Sequence, residues 1–287
     1  MLDHGSAITH ISALHAVVLG AVQGLTEFLP VSSSGHLRLV PWLLGWDDLT
    51  ANPDLNKTFD VALHLGTFVG AAAYFGRDIL RFGAAARRSL ARRRIEGPDE
   101  REAWLLVVSA VPAGIVGLAG ESFIERELGR IWLIAVLLIA FGLVLEVADR
   151  RPGARPEAAF SLRDALAMGL GQAFALAPGV SRSGVTISAA RFLDFDRDAA
   201  ARLSFLMSLP VIGGAAGSRA LEVLREGGLP PGTGTAFALG TVTSALTGAA
   251  AVWGVLRLVK TRSFRPFVVY RLVAGAAVLG LLATPLR

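Results

Sequence analysis

The sequence contains no cysteine among its 287 residues, which excludes disulfide bonds, thiol nucleophiles and thiolate metal sites. Charged residues are also scarce at 18%, whereas apolar residues make up 53% and the mean hydropathy is +0.55. This balance is typical of a polytopic membrane protein rather than of one or two soluble domains. Residues 1–5 lack the basic region of a cleaved secretory signal, so we expect the N-terminus to be retained.

Six apolar runs approach or reach the roughly 20 residues that cross a bilayer. We expect full spans near 57–76, 103–120, 131–149, 199–222, 235–257 and 266–285. Two further apolar segments, 8–45 and 162–192, are broken at Pro30 and at Pro178-Gly179. Because each half is too short to cross, we expect each segment to enter the bilayer, turn and leave on the same side. The predicted fold is an all-α integral membrane protein, a single polytopic domain over 1–287, with about six full spans plus two re-entrant helix pairs.

The basic residues lie between the apolar runs, which fixes an orientation. Segments 77–102, 149–163 and 257–265 are rich in arginine and lysine, whereas 46–56 has neither residue. Cytoplasmic loops carry such an excess, so we expect these three segments in the cytoplasm and both termini outside. The same distribution argues against a nucleic-acid partner, despite the net charge of +5.

This orientation makes the two broken segments enter from opposite faces, which predicts an inverted-topology repeat of about 8–150 and 160–285. A constant offset along the sequence agrees with it. The offset places Gln23 on Gln172, Gly20 on Gly169, and Ser32-Ser33-Ser34-Gly35 on Ser181-Arg182-Ser183-Gly184. In such architectures the broken helix tips lie in the bilayer interior, where free backbone amides hold anions.

The first polar segment offers groups suited to phosphoryl transfer. Glu27 is a hard oxygen ligand for Mg²⁺ or Ca²⁺, and Gln23 lies on the same helix face. We expect Pro30 to end that helix and the serine run 32–34 to open the next, where serines cap free amides and the helix dipole attracts phosphate. The spacing of Ser33 and His36 permits a serine nucleophile with a histidine base, or a histidine that donates a proton to a leaving group.

The second polar segment contributes Arg182, whose planar fork matches phosphate oxygens. At membrane depth it needs an anionic partner, either Glu27 in a structural ion pair or a bound phosphate. Ser32 and Ser34 serve equally well as caps or packing residues, and His36 as a satisfied polar residue. Four other residues are expected at span ends or in structural pairs, with a cavity position as an alternative for the last: His64, Arg191, Arg202 and Arg271.

Two motifs carry a family resemblance: Gln23-Gly-Leu-Thr-Glu27 followed by Phe-Leu-Pro-Val-Ser-Ser-Ser-Gly-His36, and Pro178-Gly-Val-Ser-Arg-Ser-Gly184. With these motifs the sequence resembles the undecaprenyl-pyrophosphate phosphatase family, integral membrane enzymes linked to bacitracin resistance. The hydropathy pattern extends the resemblance over essentially the whole chain. Gln23 stands where some members have glutamate, so it is the weaker metal ligand, and Ser34 replaces a threonine of some members.

The resemblance implies hydrolysis of undecaprenyl pyrophosphate to the monophosphate and phosphate at the outer face of the bacterial inner membrane, which recycles the carrier for peptidoglycan synthesis. It implies a divalent metal, Mg²⁺ or Ca²⁺, held by Glu27. Ser33 would be the nucleophile, His36 would transfer protons and Arg182 would clamp the pyrophosphate. The neighbouring hydroxyls would bind substrate: Ser32, Ser34, Ser181 and Ser183. The expected partners are the polyprenyl pyrophosphate and membrane lipid, and a homo-oligomer stays open.

Three alternatives remain at this point. A metal-activated water is an alternative to Ser33 as the attacking group. Broken helices and inverted repeats are also typical of transporters, so the protein could instead move or flip a lipid phosphate. The histidine-nucleophile lipid phosphatases share a Ser-Gly-His element, but their later histidine has no candidate because His64 is the last histidine of the chain.

Overall fold

The structure is a computed structural model that describes residues 11–46, 53–225 and 228–284. Over these residues the chain forms eleven α-helices, one 3-10 turn and no β-strand, which confirms the all-α class. The helices are α1 (Ala13–Phe28), α2 (Ser33–Leu44), α3 (Pro53–Tyr74), α4 (Gly76–Arg92), α5 (Pro98–Glu127), α6 (Ile131–Asp149), α7 (Leu162–Phe174), α8 (Arg182–Phe192), α9 (Arg197–Arg225), α10 (Gly234–Val259) and α11 (Arg265–Leu282). The predicted N-terminal segment, the first residues of 8–45 and the end of 266–285 lie outside the described residues.

Five helices are long and apolar enough to cross a membrane by themselves: α5, α6, α9, α10 and α11. The helix α3 passes the same criterion only together with α4, from which it is bent by 87°. Its N-terminal half carries Asp54, Lys57 and Asp60, which lower its hydropathy. The protein is therefore a multi-pass membrane protein, and its described residues contain five to six candidate spans, in agreement with the six predicted.

The helix α4 corrects one expectation, because segment 77–102 was predicted as a basic loop. Phe82, Ala85 and Ser89 recur at helical spacing and are buried along one face of α4. Trp104 of α5 donates its ring N–H to Ser89 Oγ at 2.8 Å. The arginines of the segment occupy the exposed faces, so the charge pattern concealed an amphipathic helix.

Each of the two broken segments forms a helix pair, as predicted. The four helices α1, α2, α7 and α8 have 16, 12, 13 and 11 residues. At 1.5 Å per residue they are about 16–24 Å long, shorter than the roughly 30 Å hydrocarbon core. Their lengths suit re-entrant helices whose tips lie inside the bilayer.

Glycines allow α1 to approach α10 closely. A Cβ atom at Gly20 would lie 2.5 Å from the Gly240 carbonyl oxygen, and one at Gly24 would collide with Thr247 and with the Ser244 carbonyl. Small residues at a helix interface are the usual means of close packing in membranes. This contact fixes α1, and with it the first polar segment, against the C-terminal half of the protein.

Candidate active site

Both helix breaks turn through a serine in the left-handed region of backbone space. Ser32 has φ 77° and Ser181 has φ 75°, which costs a non-glycine residue about 1–3 kcal/mol each. The side chains offset part of this cost by capping: Ser32 Oγ accepts from the Gly35 N–H at 3.4 Å and Ser181 Oγ from the Gly184 N–H at 3.1 Å. The predicted cap at Ser32 is confirmed, and the two turns share one geometry.

The two turns contact each other directly. The Gly179 N–H donates to Ser32 Oγ at 3.0 Å, and Ser183 Oγ donates to the Leu29 carbonyl at 3.0 Å. Gly179 has φ +100°, and a Cβ atom there would lie 2.6 Å from the Ile134 carbonyl oxygen, so only glycine fits. Residues far apart in the sequence therefore meet at one place among the helices.

Glu27 is the centre of the polar cluster at this meeting point. Arg182 donates from Nη2 to Glu27 Oε1 at 2.8 Å, and the Arg182 and Glu27 side chains are only 13% and 5% exposed. Ser33 donates from Oγ to Glu27 Oε2 at 2.5 Å, and Gln23 donates its amide to the same oxygen at 2.9 Å. The structure thus brings together Glu27, Gln23, Ser33 and Arg182, whereas the half-buried Ser34 makes none of these contacts.

Two buried atoms of the cluster have no hydrogen-bond partner among the described residues: Arg182 Nη1 and Gln23 Oε1. A buried unpaired donor or acceptor costs about 1–3 kcal/mol, so such atoms indicate a missing ligand. A guanidinium donor suits a phosphate oxygen, and an amide oxygen beside a carboxylate suits a hard divalent cation. The donor set therefore fits both groups, although no cluster of three or more His, Asp or Glu side chains occurs in the described part of the chain.

His36 is not hydrogen-bonded to Ser33, so the serine–histidine pair, one of the two arrangements that the spacing permits, is not formed in this structure. The backbone places His36 in the first turn of α2, where its Nδ1–H donates to the Ser32 carbonyl at 2.7 Å. The other ring nitrogen, Nε2, lies 2.6 Å from the hydroxyl of Tyr270, and the two rings stack 5.6 Å apart. Since Nδ1 carries the proton, Nε2 accepts from the Tyr270 hydroxyl. Sequence reasoning missed Tyr270. The only indication in the sequence is that a residue with a hydroxyl group stands next to Arg271 within an apolar span.

Arg271 is fully buried and binds backbone carbonyls instead of a carboxylate. It donates to the Pro30 carbonyl at 3.0 Å on the first turn and to the Gly179 and Val180 carbonyls at 2.9 and 3.0 Å on the second. It also donates to the Leu138 carbonyl of α6 at 3.0 Å. Arg271 therefore joins both turns to α6 and α11, a structural pairing as predicted.

The other singled-out residues divide into two groups. Arg191 donates to the Phe195 and Arg151 carbonyls, and Arg202 pairs with Asp78 at 2.7 Å and with Glu157 at 2.6 Å, so both are structural as expected. His64 differs, because it lies in the middle of α3 rather than at a span end. Its Nε2 is 3.6 Å from Glu27 Oε2.

The comparisons with known proteins identify the family of the chain. The family model described as "Bacitracin resistance protein BacA" matches residues 16–277. The chain belongs to the BacA family. Both predicted motifs lie in the matched range, as do His64 and Tyr270.

Several BacA-like relatives are similar over almost their whole length. The undecaprenyl-diphosphatase of Pelobacter propionicus is 48% identical over 96% of this chain and 98% of its own. That of Geobacter sulfurreducens is 48% identical over 94% and 98%, and that of a Nocardioides species 45% identical over 96% and 98%. The family predicted from the two motifs is therefore confirmed.

Proposed function

We propose that this BacA-family protein is an undecaprenyl-diphosphatase, a membrane hydrolase that removes the terminal phosphate of undecaprenyl pyrophosphate. Relatives that carry this name are 43–48% identical over nearly the whole chain. The observation that carries the proposal at the level of chemistry is the Glu27–Arg182 pair between the two turns, with one guanidinium nitrogen left free.

A purely structural ion pair explains this arrangement less well than a phosphate site does. A buried pair stabilises a protein only when its remaining donors and acceptors are also satisfied. Here Arg182 Nη1 and Gln23 Oε1 are not, and Arg182 directly follows the strained Ser181. A pyrophosphate would supply acceptors for the guanidinium and for amides at the start of α8.

Ser33 is the proposed nucleophile. Its Oγ attacks the terminal phosphorus while Glu27 Oε2, already its hydrogen-bond acceptor at 2.5 Å, receives its proton. The bond from phosphorus to the bridging oxygen breaks, and undecaprenyl monophosphate leaves with the electron pair. Water then attacks the phosphorus of the phosphoserine, the bond from phosphorus to Ser33 Oγ breaks, the proton held by Glu27 returns to Oγ, and phosphate leaves. Arg182 neutralises the phosphoryl oxygens in both steps, which is most of what this transition state requires.

Glu27 and the carbonyl oxygen of Gln23 would hold the divalent cation, Mg²⁺ or Ca²⁺. Bound there, the cation would supply positive charge to the phosphoryl oxygens beside that of Arg182. His36, whose Nε2 accepts from the Tyr270 hydroxyl, is the proposed group for proton transfer, and Ser32, Ser34, Ser181 and Ser183 are the proposed substrate contacts. The pyrophosphate enters from the outer leaflet of the bacterial inner membrane, and the product returns to peptidoglycan synthesis.

Phosphate release from undecaprenyl pyrophosphate by the purified protein in detergent tests the proposal. Arg182→Ala and Ser33→Ala should each lower kcat/KM by about 10²-fold or more, the usual loss when a transition-state donor or nucleophile is removed. The exposed Arg87→Ala on α4 is the matched control and should keep full activity.

Three outcomes would redirect the proposal. Activity that survives Arg182→Ala would remove the pair between the turns as the phosphate site. If Ser33→Ala is fully active, the attacking group is water and not the Ser33 hydroxyl. Transport of the lipid in proteoliposomes without any phosphate release would favour a transporter.

A further inference from the structure

The carboxylate of Glu27 has a further neighbour outside the two turns, His64 of α3. The distance from His64 Nε2 to Glu27 Oε2 is 3.6 Å, and the His64 side chain is 31% exposed. Such a separation is too long for a hydrogen bond, which would bring the two atoms to about 2.7–3.2 Å. The contact is therefore close without being bonded.

The orientation of the His64 ring is set by its own helix. Its Nδ1 lies 2.7 Å from the Asp60 carbonyl oxygen one turn earlier, and a carbonyl only accepts, so Nδ1 carries the proton. In the neutral ring Nε2 then presents a lone pair to Glu27 Oε2, which is also an acceptor. Two acceptors that face each other across a short gap are unfavourable unless a proton or a metal cation lies between them. Metal-ligating histidines usually bind the metal through one ring nitrogen and donate the N–H of the other to a backbone carbonyl or a carboxylate, as Nδ1 of His64 does here.

The spacing suits a metal ion. Two ligand atoms about 2.1 Å from one tetrahedral ion lie about 3.4 Å apart, close to the observed separation of Nε2 and Oε2. Gln23 provides a further donor, because its Oε1 is buried without a partner while its Nε2 bonds the same Glu27 oxygen. Rotation of this amide by half a turn would bring Oε1 beside Glu27 Oε2 in place of Nε2, where the cation would satisfy it.

We propose that His64 is a nitrogen ligand of the divalent cation and completes a mixed site with Glu27 and Gln23. The proposal rests on the proposed function, since substrate phosphate oxygens would fill the remaining positions. An imidazole ligand strengthens the binding of Mn²⁺ more than that of Ca²⁺, so Mn²⁺ is the sensitive probe of a site that also takes Mg²⁺ or Ca²⁺. His64 therefore sets how strongly the site binds Mn²⁺ relative to Ca²⁺.

Pulsed electron paramagnetic resonance of the Mn²⁺-loaded protein tests the ligand directly, since a bound imidazole adds a ¹⁴N coupling to the Mn²⁺ signal. The coupling is expected in the wild type, lost in His64→Gln and retained in His15→Gln. His15 is a suitable control because its ring stacks on that of Trp46 at 3.8 Å and it lies about 18 Å before Glu27 along α1. In titration calorimetry, the Mn²⁺ affinity of His64→Gln should be at least about tenfold weaker than that of the wild type. The Ca²⁺ affinity should be nearly unchanged.

The outcomes separate this inference from the proposed function. A wild-type protein that releases phosphate but shows no ¹⁴N coupling, or a coupling that survives His64→Gln, overturns His64 as a ligand and leaves the phosphatase intact. A protein with the coupling that never releases phosphate overturns the proposed function instead. Phosphate release together with a coupling that depends on His64 supports both.

Discussion

At the residue scale, Glu27 determines how the cluster is arranged. A buried carboxylate costs several kcal/mol unless charges and hydrogen bonds compensate it. Glu27 accepts a hydrogen bond from Arg182 of the second turn on Oε1 and one from Ser33 of the first turn on Oε2. The carboxylate therefore couples the geometry of the site to the stability of the contact between the turns.

Glu27→Gln keeps the shape of the side chain but removes its charge, leaving Arg182 buried without a counter-ion. Because breaking a buried pair costs about 3–5 kcal/mol, we expect a lower thermal midpoint in detergent together with a loss of phosphate release. The control is Glu127→Gln. Glu127 forms an exposed ion pair with Arg130, in which Oε2 and Nη2 are 2.5 Å apart. Such exposed pairs contribute about 0–1 kcal/mol, so the control should be silent. An unchanged midpoint in Glu27→Gln would contradict the pairing.

Tyr270→Phe tests the hydroxyl that occupies His36 Nε2. Loss of one hydrogen bond of about 0.5–1.5 kcal/mol should lower kcat severalfold while KM stays nearly constant, because the substrate contacts remain. Tyr74→Phe is the control, since Tyr74 is the only other tyrosine in the sequence and its ring contacts Phe75. If Tyr270→Phe keeps the wild-type kcat and pH profile, the Tyr270 hydroxyl does not contribute to proton transfer by His36.

At the element scale, the helix breaks were predictable but their partners were not. Pro30, the serine run and Pro178-Gly179 carry local signals that end one helix and cap the next, and the structure places the breaks there. The partner of His36 is set by α11, which no local pattern connects to α2. The same holds for His64, whose contact with Glu27 depends on how α3 packs beside α1.

The contact between α1 and α10 gives a prediction at this scale. Gly24→Ala adds a methyl group that would collide with Thr247 and Ser244, so α1 must move away from α10 and take Glu27 with it. We expect lower thermal stability by about 1–3 kcal/mol, the usual cost of overpacking, together with reduced activity. Gly254→Ala on α10 is the matched control, because a Cβ atom there meets nothing within 4 Å. Equal stability of the two variants would show that the close approach is not required.

At the scale of the whole molecule, Arg271 stabilises the interior of the fold, whereas the arginine-rich segments lie toward the ends of the helices. Arg271 ties both turns to the interior through backbone carbonyls, a role that composition could not reveal because its partners carry no side-chain signal. The arginine-rich segments, by contrast, were evident in the sequence and lie at one set of helix ends. There Asp149 of α6 accepts from Arg197 of α9 at 2.6 Å and from the Phe264 N–H at 3.0 Å. The repeat of about 8–150 and 160–285 stays a prediction.

The orientation in the membrane can be measured cleanly because the chain has no cysteine of its own. Single cysteines at the exposed positions Arg94, Thr261 and Leu229 report on three helix connections. If basic connections are cytoplasmic, an impermeant thiol reagent added to intact spheroplasts should label Leu229→Cys alone, and permeabilisation should expose Arg94→Cys and Thr261→Cys. Each variant should retain phosphate release, which confirms that the labelled protein is folded. The reverse labelling pattern would place the start of α1 in the cytoplasm, and substrate entry from the outer leaflet would then be untenable.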